Sequence, residues 1–242
     1  MSKLETVVQG LVGRLRDERS IEGAFLGGSL AAGRADDFSD VDLAVVAAEG
    51  HEEEAWELRA DLTLVPGRPL RTLERAWPGA RMVACIHGPQ AYPPLGLEVD
   101  IAFCALAEVD APMPYAPSQV VLDRSGRLAR ALAGVPSAPT EAFLGEEVER
   151  RRSWFAFYTH DALVAERRGD LPQLAFLLGQ MVEAIVAVAA ARHGALGVWA
   201  KGGPRWLAPQ ELNVIQAALQ APGHEAVQQL SQLFERYASS TG

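Results

Sequence analysis

The chain has 242 residues, of which 49% are hydrophobic and 22% charged. That balance excludes a disordered chain, a collagen-like repeat and a coiled-coil rod, and it supplies a core for one or two domains. The 22 basic and 31 acidic residues leave a net charge of −9, which repels a phosphate backbone, disfavours a nucleic-acid partner and attracts a cationic substrate or metal ion.

Leu4, Val7, Val8, Leu11 and Leu15 recur at helical spacing, so an amphipathic helix is expected from Lys3 to about Glu18. Both charge signs run through this segment, so no signal peptide is read there. Ala24-Phe25-Leu26 reads as a short strand ending in Gly27-Gly28, and Val41 to Val46 as a second strand. His51 to Arg59 is polar enough for a surface helix. Leu62 to Trp77 has no decisive pattern and is left unassigned. Met82 to Ile86, Leu97 to Phe103 and Val120 to Leu122 read as further strands. Cys85 and Cys104 lie inside apolar runs and read as small buried thiols, not as a disulfide or metal site.

Pro136-Ser137-Ala138-Pro139 reads as a linker. Beyond it, Thr140 offers an N-cap for a long helix, Glu141 to Arg168, closed by Gly169-Asp170. A second helix is expected from Leu171 to His193. Gly202-Gly203-Pro204 breaks the chain, and Pro209 to Leu219 and Glu225 to Tyr237 complete a bundle. The longest apolar run, Ala184 to Ala191, is far short of the ~20 residues that span a bilayer, so no membrane partner and a cytoplasmic location are expected. The expected fold class is α+β. A mixed sheet with flanking helices occupies residues 1–135, and an α-helical bundle occupies 140–242.

Chemistry concentrates between Leu26 and Leu43. Asp40 and Asp42 are two apart at a strand start, so alternation projects both carboxylates to one side, while Val41, Leu43 and Val45 take the other. Leu97, Val99, Ile101 and Phe103 likewise share one face of a later strand and Asp100 the other. If the two strands are neighbours, three carboxylates converge. Such a group is costly without a cation, and a hard ion such as Mg²⁺ suits it. Gly27-Gly28-Ser29 follows a strand, where glycine backbone can approach a phosphate closely.

Gly27-Gly28-Ser29, Ser39-Asp40-Val41-Asp42 and Asp100, in that order, resemble the nucleotidyltransferase superfamily, the DNA polymerase β-like fold. With its helical tail, the chain resembles the small-molecule branch that includes aminoglycoside and lincosamide antibiotic nucleotidyltransferases. The motifs cover roughly residues 25–103. The resemblance implies that Asp40 and Asp42 bind two Mg²⁺ ions, with Asp100 on the ion that activates the acceptor. It implies that Gly27, Gly28 and Ser29 hold the triphosphate of ATP or another nucleoside triphosphate, and that Ser39 adds a hydroxyl contact. A hydroxyl of a small molecule would then attack the α-phosphorus and release pyrophosphate.

Glu183 is the one charged residue in the apolar stretch from Leu171 to Ala191. A carboxylate there either faces a cleft, where it could serve as general base, or pairs with an arginine of the preceding helix such as Arg151 or Arg152. Lys201 lies at the break between helices; relatives place a lysine there that reaches the triphosphate, and a solvated loop lysine is the alternative. His87 and Tyr92 precede the Asp100 strand, and His87 is a second candidate base. Two other functions compete with small-molecule modification: an antitoxin-like enzyme that modifies a protein partner, and a nucleotide-binding regulatory module without turnover. The sequence leaves the oligomeric state open.

Overall fold

A computed structural model describes residues 2–93, 95–111, 117–136, 138–196, 203–221 and 223–238. The chain divides into two compact units, Met1–Ser137 and Ala138–Gly242.

In the first unit, α1 (Lys3–Leu15) buries Val7, Leu11, Val12 and Leu15. Ser2 starts it with a capping box: its hydroxyl accepts from the Glu5 N–H at 3.1 Å, and the Glu5 carboxylate accepts from the Ser2 N–H at 2.6 Å. There follow β1 (Ile21–Leu26), α2 (Gly28–Ala31), β2 (Val41–Ala47), α3 (Glu52–Glu57), α4 (Arg59–Leu62), β3 (Arg71–Trp77), β4 (Ala80–His87), β5 (Leu97–Cys104), a 3₁₀ turn at Leu106–Glu108, β6 (Gln119–Asp123) and α5 (Arg127–Ala133). The strands form one six-stranded sheet in the order β3-β4-β5-β2-β1-β6. β2 and β5 are parallel, and the other pairs are antiparallel.

Alternation along β2 and β5 gives the sheet two different faces. Val41, Leu43, Val45, Leu97, Val99, Ile101 and Phe103 join α1, Trp56 and Leu62 in the larger core. Phe25, Ala44, Val46 and Cys104 face the other way and meet Val109 and Leu128 in a smaller one. Gly23 permits that closure, since a Cβ there would lie 2.6 Å from the Leu122 carbonyl oxygen and 2.7 Å from Leu128 Cδ2. Toward the N-terminal ends of β2 and β5 the second face changes from apolar side chains to Asp42 and Asp100.

β3 and α5 are among the elements that the sequence did not announce. β3 emerges from the unassigned stretch as an edge strand with residues 71–76 exposed on both sides, so burial imposes no alternation on it. α5 buries Leu128 alone, too little for a periodic stripe.

In the second unit, α6 (Glu141–Arg168) is capped by the Thr140 hydroxyl, which accepts from the Phe143 N–H at 3.2 Å, and ends at Gly169 with φ +69°. α7 (Leu171–Arg192) follows, then α8 (Gly203–Trp206), a short turn of helix at the expected break, α9 (Pro209–Ala218) and α10 (Gly223–Ala238). Phe155 stacks on Phe234 with ring centroids 3.9 Å apart. By length and composition α7 could cross a membrane, but 67% of its apolar window is buried. Met181, Ala184, Ile185, Val186 and Val188 are among its residues in this unit's core.

Candidate active site

The site begins where β1 ends. Gly27 extends the β1–β2 ladder, its N–H donating to the Asp42 carbonyl at 3.0 Å. Gly28 then takes φ +58°, and a Cβ there would lie 2.0 Å from Asp42 Oδ2. Both facts demand glycine: the left-handed region is costly for other residues, and the turn lies against the Asp42 carboxylate. Ser29 follows in the first turn of α2. Its Oγ is buried and has no hydrogen-bond partner among the described residues. A buried hydroxyl donor of this kind suits a phosphate oxygen.

Asp42 and Asp100 are register partners across the parallel β2–β5 pair. Neighbouring strands lie about 4.8 Å apart, and paired residues share a face, so the backbone ladder sets the two half-buried carboxylates side by side. Asp40 lies one residue before β2 and is also half-buried. Among the described residues, no group of three or more His, Cys, Asp or Glu side chains is gathered closely enough to hold a metal ion. The expected convergence of three carboxylates is therefore met by two. The pair still fits Mg²⁺, which is usually bound through one or two carboxylates plus substrate phosphates.

Ser39 has another task. Its hydroxyl donates to Asp36 Oδ1 at 2.9 Å and accepts from the Asp36 N–H at 2.9 Å, while Asp36 Oδ1 also accepts from the Phe38 N–H at 3.0 Å. These bonds, led by that from Ser39, hold the Asp36 carboxyl below its ordinary range. A serine has a single hydroxyl proton, so Ser39 fixes the loop leading to Asp40 rather than donating to a phosphate.

His87 does not reach this site. It pairs with Leu97 in the β4–β5 ladder, which places it on the face of the larger core, opposite Asp100. It is 1% exposed, its ring lies 6.0 Å from that of Tyr92, and burial lowers its pKa. The Tyr92 hydroxyl donates to the Pro66 carbonyl at 2.8 Å. Cys85 and Cys104 are free and buried, and burial pushes each thiol up to about 12.

In the second unit Glu183 is ion-paired. Arg151 donates through Nη1 to Glu183 and through Nε to Glu147 at 2.7 Å, and Arg150 adds a second guanidinium to Glu147. This is the arginine-paired alternative that the sequence offered. Lys201 lies outside the described residues.

Glu98 was not singled out from the sequence. It stands two residues before Asp100 on the same face of β5 and is exposed. The alternation applied to Asp40 and Asp42 would have found it in Glu98-Val99-Asp100.

The family described as Polymerase beta, Nucleotidyltransferase matches residues 9–75, a span that holds the glycine turn, Asp40 and Asp42. This segment is similar to the nucleotidyltransferase domain of that family. The family's description names transfer of a nucleotidyl group. Among solved structures, an aminoglycoside 6-adenyltransferase from Bacillus subtilis is similar at 11% identity and a TM-score of 0.35, covering 99% of this chain and 89% of that one. No curated protein matches the chain.

Proposed function

We propose that the chain moves a nucleoside monophosphate, AMP in the first instance, from its triphosphate to a hydroxyl of a small molecule in the cytoplasm. The observation that carries this reading is the Asp42–Asp100 register pair, with the Gly28 turn against Asp42. Asp42 and Asp100 would hold Mg²⁺, which when bound would supply the positive charge that aligns attacking and leaving oxygens.

The chain's own residues do the rest. Gly28 lets the backbone lie close to the triphosphate. Ser29 donates its unused hydroxyl proton to a phosphate oxygen. The Asp36–Ser39 turn fixes the approach of Asp40. The acceptor oxygen forms a bond to the α-phosphorus, the bond from that phosphorus to the bridging oxygen breaks, and pyrophosphate leaves with the electron pair. The hydroxyl proton passes to solvent. Glu183, held by Arg151, serves the bundle's structure in this scheme. The net charge of −9 favours a cationic acceptor over a polynucleotide.

The test incubates the chain with ATP, Mg²⁺ and a panel of aminoglycoside and lincosamide antibiotics, with mass spectrometry of every component. One AMP added to one acceptor is expected, with pyrophosphate released. Mass gained by a co-expressed protein would point to a protein acceptor. ATP binding without pyrophosphate from any acceptor would point to a regulatory module.

A further inference from the structure

The ladder that pairs Asp42 with Asp100 also pairs Val41 with Val99. Glu98 precedes Val99 on β5, and Asp40 precedes Val41 just before β2. On its other side Glu98 pairs with Ile86 of β4, and Asp100 pairs with Ala84. Beyond β4, Ile86 pairs with Arg71 and Ala84 with Leu73 of β3. Two rungs therefore run across one face of the sheet. One is Glu98, Ile86, Arg71, and the other is Asp42, Asp100, Ala84, Leu73.

This face is not closed by the first unit's own core. Ile86 is 49% exposed and Leu73 50%, and Glu98 is exposed. Glu98 makes no hydrogen bond or ion pair among the described residues, whereas the acids on other surfaces of this unit are often engaged: Glu53 pairs with Arg81, Glu74 with Arg59 and Asp61 with Arg14. An unengaged carboxylate next to an exposed apolar ledge matches a ligand that has both a cationic nitrogen and an apolar body.

We infer that Glu98 is the acceptor-recognising residue of this enzyme, holding a protonated nitrogen of the acceptor while the acceptor's body lies over Ala84, Ile86 and Leu73. This rests on the proposed nucleotidyl transfer and adds to it the acceptor's chemical class and the strand face it occupies. The placement puts the acceptor on the β4 side of Asp100, and the triphosphate on the β1 side of Asp42 at the glycine turn. The two substrates then flank the aspartate pair, as an in-line displacement requires.

The experiment follows AMP transfer from radiolabelled ATP with Mg²⁺, using kanamycin and lincomycin as cationic probes. Binding of both probes to the nucleotide-free chain is measured by calorimetry. Glu98→Gln is expected to raise the probe's KM, and its Kd without nucleotide, about tenfold or more, the loss of a hydrogen bond to a charged group. KM for ATP and the Mg²⁺ concentration for half-maximal rate should stay at the wild-type values. Glu98→Asp should recover part of the loss, and Leu73→Ser, at an exposed position, should raise the probe's KM about threefold. The inference is overturned if probe KM and Kd do not change in Glu98→Gln, or if the variant instead needs more Mg²⁺. It is also overturned if the wild type cleaves ATP to AMP and pyrophosphate but transfers to neither probe. If the wild type releases no pyrophosphate at all, the nucleotidyl-transfer reading fails, and this inference with it.

Discussion

Each unit draws carboxylates away from water, but it neutralises them differently. In the helical unit Glu147 is 7% exposed and is met by Arg150 and Arg151, and Arg151 also holds Glu183. Burial pushes Glu147 up, and the two guanidinium groups outweigh it and hold its pKa below the ordinary value. In the sheet unit, register sets Asp42 beside Asp100, and the Gly28 backbone closes on Asp42. Acids paired with arginine stabilise a bundle. Acids paired with each other make a place for a cation. The first group should therefore report on stability and the second on turnover.

The widest separation is expected from Asp42→Asn and Asp100→Asn. Each removes a charge that aligns the reacting oxygens, so AMP transfer should fall about a thousandfold, several kcal/mol of transition-state stabilisation. The thermal unfolding midpoint should stay within about 3 °C of wild type, since a single ΔΔG below 1 kcal/mol moves it no further. Unfolding of either variant would break the comparison, because the aspartates would then be structural.

Gly28→Ala sharpens it next. A Cβ at φ +58° would meet Asp42 Oδ2 at 2.0 Å, so either the turn or the carboxylate must shift. A displacement of this size at a reacting centre costs about 10²-fold in rate, and the left-handed backbone adds about 1 kcal/mol of destabilisation. Single-turnover kinetics beside urea unfolding would separate the two effects.

The helical unit should give the reverse result. Glu147→Gln leaves two arginines facing a neutral amide in a buried place and should cost about 3 kcal/mol in urea unfolding. Glu183→Gln should cost less, because Arg151 retains Glu147. Turnover per folded molecule should change little in either variant. A loss of about 10²–10⁴ in Glu183→Gln, the usual contribution of a general base, would move Glu183 from the scaffold to the reaction.

Much of this was legible because it depends on local rules. Leu97, Val99, Ile101 and Phe103 alternate with Asp100, and the structure buries that set as read. The Thr140 cap and the Gly169 stop bracket α6 at the residues expected. Local rules do not reveal neighbours. Nothing in Glu183 itself selects between a cleft and Arg151, because the partner lies 32 residues away. Ser39 looked like a phosphate ligand until Asp36 was seen to take its proton. β3 left no trace because an edge strand exposed on both sides needs no pattern. His87 looked close to the site by sequence distance, yet strand alternation puts it on the opposite face.

His87 gives the smallest expected effect and a third way of treating a titratable group. Neither ring nitrogen has a hydrogen-bond partner among the described residues, and burial alone lowers its pKa from 6.5. The folded state therefore resists a proton that the unfolded state accepts. Stability from this group is fully present above about pH 6.5 and falls as the pH is lowered from there toward the folded value, by at most about 1.4 kcal/mol per pH unit for one proton. Glu147 acts lower, because its depressed pKa costs stability only as the pH falls below its ordinary value of 4.5. Urea midpoints at pH 7.5, 6.5 and 5.5 should thus decline in the wild type and decline less in His87→Leu, which has no proton to take up there. Parallel declines in both chains would mean that His87 is hydrated in solution. The larger core would then be open on that side, and the sheet would no longer have one dry face and one face for chemistry.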